Sequence, residues 1–413
     1  MTCGCRTPRV GDLHSYEEAL ALLLGHARPV TGHERVALAE ALGRVLSEPV
    51  VSPIDVPGWD NSAMDGYAVR SEDLVGAPPR LRVVQRIAAG SAGQIVEPGT
   101  AARIFTGAPL PPGADTVVMQ EVCERDGDWV SIGQVPRPGA NVRRAGEDIR
   151  ARTSLIPAGT RLGPAHLGLA ASVGVGDLQV RRRLRVALFC SGDELVMPGQ
   201  PLGPGQIYNS NQFTAAALLR ALGCEVVNLG IVEDSLEATC EVLARAAAAA
   251  DLVLATGGVS VGEEDHVKPA VERLGSLDLW KIAIRPGKPL AFGHVGETPF
   301  IGTPGNPVSL FVTFVLFARP FILRLQGRED VEPFAIPAAT DFDWPKPDDR
   351  REYVRARLEA GEGGAARVKI YPSRSSAVLS SVAWANGLAV IPEGQVLQRG
   401  DPIDFLPFSE LLA

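Results

Sequence analysis

The chain has 413 residues, of which 46% are apolar and 21% charged, so it can bury a sizeable core over roughly two to four domains. Its 48 acidic residues outnumber its 40 basic residues, giving a net charge of −8, which argues against general nucleic-acid binding. Six cysteines in a chain of this length are too few for a disulfide scaffold.

The first residues, "MTCGCRTPRVGDLHS", lack the apolar segment of a signal peptide, and we expect no stretch to reach the length of a membrane-spanning helix. These features predict a cytoplasmic protein with no membrane partner. Cys3 and Cys5 form a C-x-C pair without a second Cys/His pair at zinc spacing, so a frayed terminus is the preferred interpretation. Cys190 and Cys240 fall in apolar runs and are expected to be inert core thiols.

Two helices are predicted near the start of the chain. Ser15 and Glu18 form a capping box ahead of "EEALALLLGHA", and "HERVALAEALGRVL" continues with a second helical pattern. We expect these helices to form a packing or dimerising arm.

The next part of the chain, from about residue 55 to 140, is rich in Pro and Gly and contains short β-type runs such as "RLRVVQRIAAG" and "DTVVMQEV". It is predicted to be a small β-rich domain. It opens with "PGWDNSAMDGYAV", residues 57–69, a probable loop that combines acids, Trp59 and Tyr67. Taken alone, that stretch indicates a surface turn.

Strands and helices alternate between residues 181 and 327, which predicts a parallel, doubly wound α/β domain. The expected elements are strands "LRVALFC", "EVVNLG", "DLVLAT" and "PFIG", and helices "NQFTAAALLRALG", "SLEATCEVLARAAAAA" and 306–325. The runs "EYVRARLEA", "ARVKIYP" and "GLAVIPEG" in residues 328–413 predict a small all-β domain.

Polar residues follow each strand of the α/β domain, and ligands of open parallel sheets bind beyond the carboxyl ends of the strands. The segments "SGDE", "EDS", "TGGVSVGEED" and "TPGNP" should therefore meet at one sheet edge. The two glycine-rich turns can bring backbone amides close to a phosphate. Each turn by itself is equally typical of a tight connection.

Glu194, Asp234 and Asp265 would repel each other at this edge unless they shared a divalent cation, and Mg²⁺ suits oxygen ligands. The cations Lys281, Arg285 and Lys288 are available for an anionic substrate. Solvated surface charge is the alternative for any one segment, but the combination favours an anion-plus-metal site.

The sequence resembles the molybdopterin molybdenumtransferases of the MoeA type, of which the gephyrin E domain is a eukaryotic relative. The motifs occur in order: "NSAMDGYA", "FTGAPLPPGADTVVMQE", "GEDI", "SGDEL", "TGGVSVGEEDHVK", "RPGKPLAFG" and "TPGNPVSLFVTF". The resemblance implies an elongated homodimer of α/β multidomain chains. Its four parts would be an extended, partly helical dimerisation domain at 11–54 and 141–180, a β-rich domain at 55–140, a molybdopterin-binding α/β domain at 181–327 and a C-terminal β-barrel at 328–413.

The resemblance also implies that molybdate is inserted into adenylylated molybdopterin and that AMP leaves in a Mg²⁺-dependent step. It assigns six residues to catalysis: Asp65, Thr106, Asp148, Glu194, Asp234 and Asp265. Substrate binding is assigned to Gly257, Gly258, Ser260, Lys281, Arg285, Lys288, Pro304, Asn306, Arg355, Ser375 and Ser376. Asp265 and Ser260 would hold the metal, and a molybdopterin adenylyltransferase is an implied partner.

Three alternatives stay open. A molybdopterin adenylyltransferase shares the α/β fold but is a short single-domain chain, and a non-enzymatic, gephyrin-like scaffold depends on additional segments. A paralogue specialised for tungstate would use an oxyanion of nearly the same size and charge.

The "PGWDNSAMDGYAV" loop lies far in sequence from the sheet edge it would serve. In a two-fold dimer, the β-rich domain of one chain can complete the cleft of the other. We expect Asp65 and Thr106 to reach the substrate in this way, with Trp59 and Tyr67 as walls of the cleft.

Overall fold

The computed structural model describes residues 13–76, 78–258, 265–361 and 364–412. The chain divides into two compact units. The first comprises Met1–Glu34, Gly43–Ser47 and Val180–Ala413, and the second comprises Arg35–Leu42 and Glu48–Gln179. The finer division into four domains stays a prediction.

The first predicted helix is confirmed as α1, Tyr16–His26, and the Ser15 hydroxyl accepts a hydrogen bond from the Glu18 amide at 3.2 Å. The second predicted helix is wrong. Residues His33–Ala37 form strand β1, followed by a 3-10 turn at Leu38–Glu40. The Leu38 amide donates to the Gly176 carbonyl at 2.9 Å, so pairing with a distant segment overrides the local helical pattern.

The second unit is β-rich, as predicted. Its elements are β2 Val50–Val51, β3 Asn61–Ser62, β4 Gly66–Val69, β5 Arg80–Ile87, β6 Thr100–Ile104, β7 Thr116–Met119, β8 Cys123–Asp126, β9 Trp129–Ile132, β10 Val142–Arg143, β11 Ser154–Ile156 and α2 Pro164–Ser172. A curled six-stranded sheet has the order β7-β4-β6-β5-β9-β8. A Cβ on Gly66 would lie 2.0 Å from the Val118 carbonyl oxygen, so the Asp-Gly step lets β4 approach β7 closely.

The α/β part of the first unit contains a six-stranded sheet of order β16-β13-β17-β21-β20-β18. Its elements, with the short flanking strands, are β12 Asp177–Arg181, β13 Arg185–Ser191, β14 Leu195–Val196, β15 Ile207–Tyr208, α3 Ser210–Ala221, β16 Glu225–Val232, α4 Leu236–Ala249, β17 Leu252–Thr256, α5 Val267–Leu274, β18 Gly275–Lys281, β19 Ile284–Arg285, β20 Pro289–Val295, β21 Thr298–Thr303, α6 Pro307–Thr313 and α7 Arg319–Leu325.

The doubly wound arrangement is confirmed, because alternate residues of β13 enter cores on opposite faces of the sheet. Leu188 packs in the core that includes residues of α3, α6 and α7, whereas Phe189 packs in the core that includes residues of α4 and α5. The sheet is not wholly parallel, which corrects the prediction. Strands β20 and β18 pair antiparallel, and the tight turn between β20 and β21 leaves no room for a crossover helix.

Helices α6 and α7 are joined by a π-helical segment, Phe314–Ala318, into one continuous stretch. By length and composition Pro307–Leu325 could cross a membrane, contrary to the expectation that no stretch has this character. However, 94% of its apolar window is buried inside the protein, so it serves as a core helix.

The C-terminal region is a closed β-barrel, as expected. Its elements are β22 Ile336–Thr340, β23 Arg351–Ala360, β24 Ala366–Ile370, α8 Ser380–Trp384, β25 Gly387–Ile391, β26 Pro402–Pro407 and α9 Phe408–Leu411. The order β23-β24-β22-β26-β25 closes because β25 pairs back onto β23. Strand β19 adds to β23 in parallel, with Arg285 opposite Glu352. This pairing attaches the barrel to the α/β part within the same unit.

Candidate functional site

A cavity of about 1100 Å³ lies at the carboxyl ends of β13 and β17, where the sequence predicts a site. The start of α3, the start of α6, the 285–289 segment and the 374–377 loop of the barrel region also line it. The α/β part and the barrel region of the first unit therefore both contribute side chains.

The structure brings most of the predicted site residues of this unit to the cavity. Those lining it are Glu194, Asp234, Gly257, Gly258, Asp265, Arg285, Lys288, Pro304, Asn306, Ser375 and Ser376. Lys281 and Arg355 are not among the lining residues. Ser260 lies outside the described residues.

The two glycine-rich turns that line the cavity abut each other, with the position for a Gly305 Cβ 3.7 Å from the Gly257 Cα. Gly257 has a φ of +87°, and a Cβ there would lie 2.3 Å from the Ser191 carbonyl oxygen. Glycine is therefore required for the turn after β17 to pack against the end of β13. The Gly257 amide is bonded to the Thr303 carbonyl at 3.2 Å, which fixes the two turns relative to each other.

Asn211 also holds these turns, and sequence reasoning missed it. Its Nδ2 donates to the Gly305 carbonyl at 2.6 Å and to Thr256 Oγ1 at 3.0 Å. Its buried Oδ1 has no hydrogen-bond partner among the residues that the structure describes. Since Asn211 lines the cavity, this oxygen is a candidate acceptor for a ligand donor. The feature of the sequence that could have identified Asn211 is the polar segment "YNSNQF", in which Asn211 stands at the start of α3.

The acidic residues Glu194, Asp234 and Asp265 line the cavity without forming a compact three-carboxylate cluster in the described part of the chain. Asp234 is held by Ser191, whose Oγ donates to its Oδ1 at 2.5 Å, and by the Asp193 amide at 3.2 Å. Magnesium is commonly bound through one or two carboxylates, substrate phosphates and waters. The oxygen donors of Asp234 and Asp265 fit such an ion.

Three arginines that line the cavity are oriented by two poorly exposed carboxylates. Arg285 Nη1 donates to Asp348 Oδ2 at 2.7 Å, and Arg350 Nε donates to Asp348 Oδ1 at 3.0 Å. Arg374 Nη2 contacts both Glu352 oxygens, at 2.7 and 2.5 Å. The side chains of Asp348 and Glu352 are 12% and 4% exposed, whereas all three arginines line the cavity.

Burial opposes ionisation of Asp348, but hydrogen bonds that include those from Arg350 and Arg285 outweigh it and hold its pKa well below the usual range. The carboxylate therefore stays charged at neutral pH and fixes two guanidinium groups. Sequence reasoning assigned Arg285 but missed the other four residues. Asp348, Arg350 and Glu352 belong to the charged run "DDRREY", which extends into β23, whereas Arg374 lies in "YPSRSS". Neither segment indicates the direction of its side chains.

Arg355 has a different position from the one expected of a ligand contact. It is 2% exposed and donates to Ser381 Oγ at 3.0 Å and to the carbonyls of Ser373 and Ser375 at 2.8 and 3.1 Å. Burial lowers its pKa. These contacts make Arg355 a positioning residue for the loop that presents Ser375 and Ser376.

The remaining assigned residues belong to the second unit. Asp65 Oδ1 accepts hydrogen bonds from the Thr106 amide and hydroxyl, both at 2.8 Å, and these bonds lower the Asp65 pKa. Asp148 is exposed. Trp59 is 57% exposed, but Tyr67 is 5% exposed in the core of this unit. Tyr67 therefore does not form a cleft wall, because its ring is enclosed by its own sheet.

One of the described cysteines, Cys190, lies in the lining of the cavity. Cys190 is buried, and burial raises the pKa of its thiol to about 11, as expected of an inert core residue. Cys240 is half-buried instead. Cys3 and Cys5 lie outside the described residues.

Three family models match the chain in order. They are the MoeA N-terminal region (domain I and II) at residues 14–174, a probable molybdopterin binding domain at 187–324 and the MoeA C-terminal region (domain IV) at 337–408.

Curated relatives extend this likeness over most of the chain. A molybdopterin molybdenumtransferase of Haemophilus influenzae is 39% identical over 387 residues, covering 92% of this chain and 95% of its own. One from Nostoc sp. is 41% identical, covering 88% and 85%. A solved structure of the molybdopterin biosynthesis MoeA protein from Pyrococcus horikoshii OT3 is 29% identical, with a TM-score of 0.84 over 96% of this chain and 100% of that chain.

Proposed function

The chain belongs to the MoeA family of molybdopterin molybdenumtransferases, and on this premise we propose that it inserts molybdate into adenylylated molybdopterin with Mg²⁺-dependent release of AMP. It is a transferase of molybdenum cofactor biosynthesis. Three details of the reaction are proposed here: that the substrate is adenylylated, that the metal is Mg²⁺ and that AMP is the leaving group.

The single observation that carries this proposal is that glycine-rich turns, carboxylates and arginines line the same cavity. The turns around Gly257 and Gly305 suit a phosphate, because their backbones can approach it closely. Arg285, Arg350 and Arg374 supply forked donors for an oxyanion such as molybdate. The cavity thus offers groups that suit the phosphate of one reactant and the oxyanion that is the other.

The residues bind and orient the reactants, and no protein nucleophile is needed. Asn211 and Ser375 offer polar groups to orient the pterin or its phosphate, while the arginines concentrate molybdate beside the dithiolene sulfurs. Asp265 and Ser260, the latter outside the described residues, would hold Mg²⁺, and Asp234 offers a further carboxylate in the same cavity. That ion supplies positive charge to offset the charge that develops on the leaving phosphate.

The decisive experiment supplies the purified protein with adenylylated molybdopterin, molybdate and Mg²⁺ and follows AMP and active cofactor. We expect stoichiometric AMP and cofactor without ATP consumption. A requirement for ATP with formation of pyrophosphate would replace the proposal by the adenylyltransferase alternative. Neither product, together with binding of a partner protein, would favour the scaffold alternative.

A further inference from the structure

Three side chains with metal-binding atoms meet at a surface of the first unit that the proposed function does not use. They are His26, the last residue of α1, Asp278 in β18 and His294 in β20. One donor atom from each lies within 4.8 Å of the others. More than 250 residues separate His26 from the other two, so only the fold brings this set together.

The strand pair presents two of the donors. The register of β18 and β20 shifts between Leu277 and Leu279, so Asp278 is the extra residue of a bulge. Its Oδ2 lies 3.1 Å from His294 Nδ1 and 3.4 Å from Ser276 Oγ. The bulge thus directs the carboxylate toward the imidazole on the neighbouring strand.

The third donor is carried by a helix that packing holds in place. Ala19, Leu20 and Leu23 anchor α1 in the core. The His26 ring packs edge-on against Phe292, with centroids 5.1 Å apart, and lies 5.5 Å from the His294 ring. His26 is therefore directed toward the strand pair.

We propose that His26, Asp278 and His294 bind one divalent transition-metal ion of the zinc class. Two imidazole nitrogens and one carboxylate oxygen suit Zn²⁺, Co²⁺ or Ni²⁺, whereas Mg²⁺ prefers oxygen ligands alone. Bonds of about 2.0–2.1 Å to a tetrahedral zinc place ligand atoms roughly 3.3 Å apart, close to the Asp278–His294 separation. His26 and Asp278 are exposed and His294 is half-buried, so small side-chain rotations can complete the site and water can occupy the fourth position.

This ion would act as a clip and not as a participant in molybdenum transfer. Pro289, at the start of β20, lines the large cavity, whereas His294 is five residues further along the strand, a distance of roughly 17 Å. Metal binding would tie the end of α1 to the β18–β20 edge. Binding to the folded state alone would raise thermal stability.

The test uses full-length chains carrying Cys3→Ser and Cys5→Ser, which removes a competing C-x-C pair, after treatment with a chelator. Zinc is titrated calorimetrically into this parent, His294→Ala, Asp278→Asn and the control His33→Ala, which removes an exposed histidine of β1. We expect one zinc per chain in the parent and control, with affinity lowered about tenfold or more in the two site variants. Zinc should also raise the melting temperature of the parent and control but not of His294→Ala.

Absence of zinc binding by the parent, or affinity unchanged in both site variants, would overturn the proposal. The latter result would assign the ion to the cavity carboxylates or elsewhere. The Asp278→Asn variant preserves side-chain size, so it tests the site even if His294→Ala unfolds. Because calorimetry and melting need no turnover, failure here is distinguishable from failure of the proposed transferase reaction.

Discussion

At the scale of single residues, the poorly exposed acids Asp348 and Glu352 are as important for binding an oxyanion as the arginines that they orient. A guanidinium has about five N–H donors, so Arg285, Arg350 and Arg374 can each bond a carboxylate and still present donors to the cavity. The two acids do not neutralise the positive charge of this arginine group, since three cations outnumber two anions. Preorganisation of this kind lowers the ordering cost of binding an oxyanion.

Replacing Asp348 by Asn should release Arg285 and Arg350, because the neutral amide cannot accept two charge-assisted bonds equally well. We expect affinity for molybdate, measured by calorimetry, to fall about tenfold or more, since breaking a hydrogen-bonded charge pair leaves cations misdirected. The matched control is Asp349→Asn, whose side chain is 68% exposed and whose nearest approach to Arg350 is 4.0 Å. Equal affinities for the two variants would contradict the positioning role.

Asp265 provides a residue-scale test of the metal step. Asp265→Asn should keep substrate affinity within about tenfold but reduce turnover by roughly a hundredfold or more, as expected when a transition-state metal ligand is lost. Arg285→Ala should instead raise KM with a smaller effect on kcat. Normal AMP release by the Asp265 variant at saturating Mg²⁺ would remove that residue from the metal site.

At the scale of elements, the short segment from β19 to β20 determines how the cavity meets the barrel. Strand β19 pairs with β23, placing Arg285 opposite Glu352, and the following turn contains Gly287 at a φ of +108°. A Cβ on Gly287 would lie 2.5 Å from the Thr313 methyl group of α6. The turn therefore packs directly against α6, a buried helix whose first residues line the cavity.

Gly287→Ala should strain this turn through both its positive φ and the contact with Thr313. We expect unfolding in urea to show a loss of roughly 1–3 kcal/mol, together with weaker molybdate binding because Arg285 and Lys288 move with the turn. The control is Gly296→Ala, which has a φ of +58° but open space at the Cβ position. It should lose only about 1 kcal/mol and bind molybdate normally; weaker binding by the control as well would refute the local explanation.

At the scale of the whole molecule, the proposed homodimer concerns how Asp65 and Thr106 of the second unit serve the reaction. Asp65 is ionised and fixed by two bonds from Thr106, which suits a polar substrate contact. We propose that each site takes these residues from the partner chain. Two-fold symmetry then gives every dimer two equivalent shared sites.

Co-refolding equal amounts of Asp65→Ala and Asp265→Ala chains tests this arrangement. Each homodimer should be nearly inactive, whereas the mixture should regain about a quarter of the wild-type activity. Roughly half of random dimers are mixed, and in each mixed dimer one site carries both lesions while the other carries none. If mass measurement finds mixed dimers but activity stays absent, Asp65 acts within its own chain or has no role.

Local periodicity and general rules of topology were enough to predict part of the molecule. Alternating strand and helix patterns located β13, α3, β16, α4 and β17, and the rule that ligands lie beyond the carboxyl ends of strands placed Glu194, Asp234 and Asp265 at one cavity. The capping box at Ser15 was likewise readable, because all its hydrogen bonds join residues three apart.

Features that depend on contacts between distant segments are evident only in the folded chain. Residues 33–37 form a strand and not the predicted helix, because they pair with the segment near Gly176. Tyr67 packs in a hydrophobic core, although its motif suggested the wall of a cleft. Arg285 met Asp348 across 63 positions of sequence, and Asn211 met Gly305 across 94. The physical reason is that side-chain direction follows from strand register and packing, which composition and short-range periodicity do not encode.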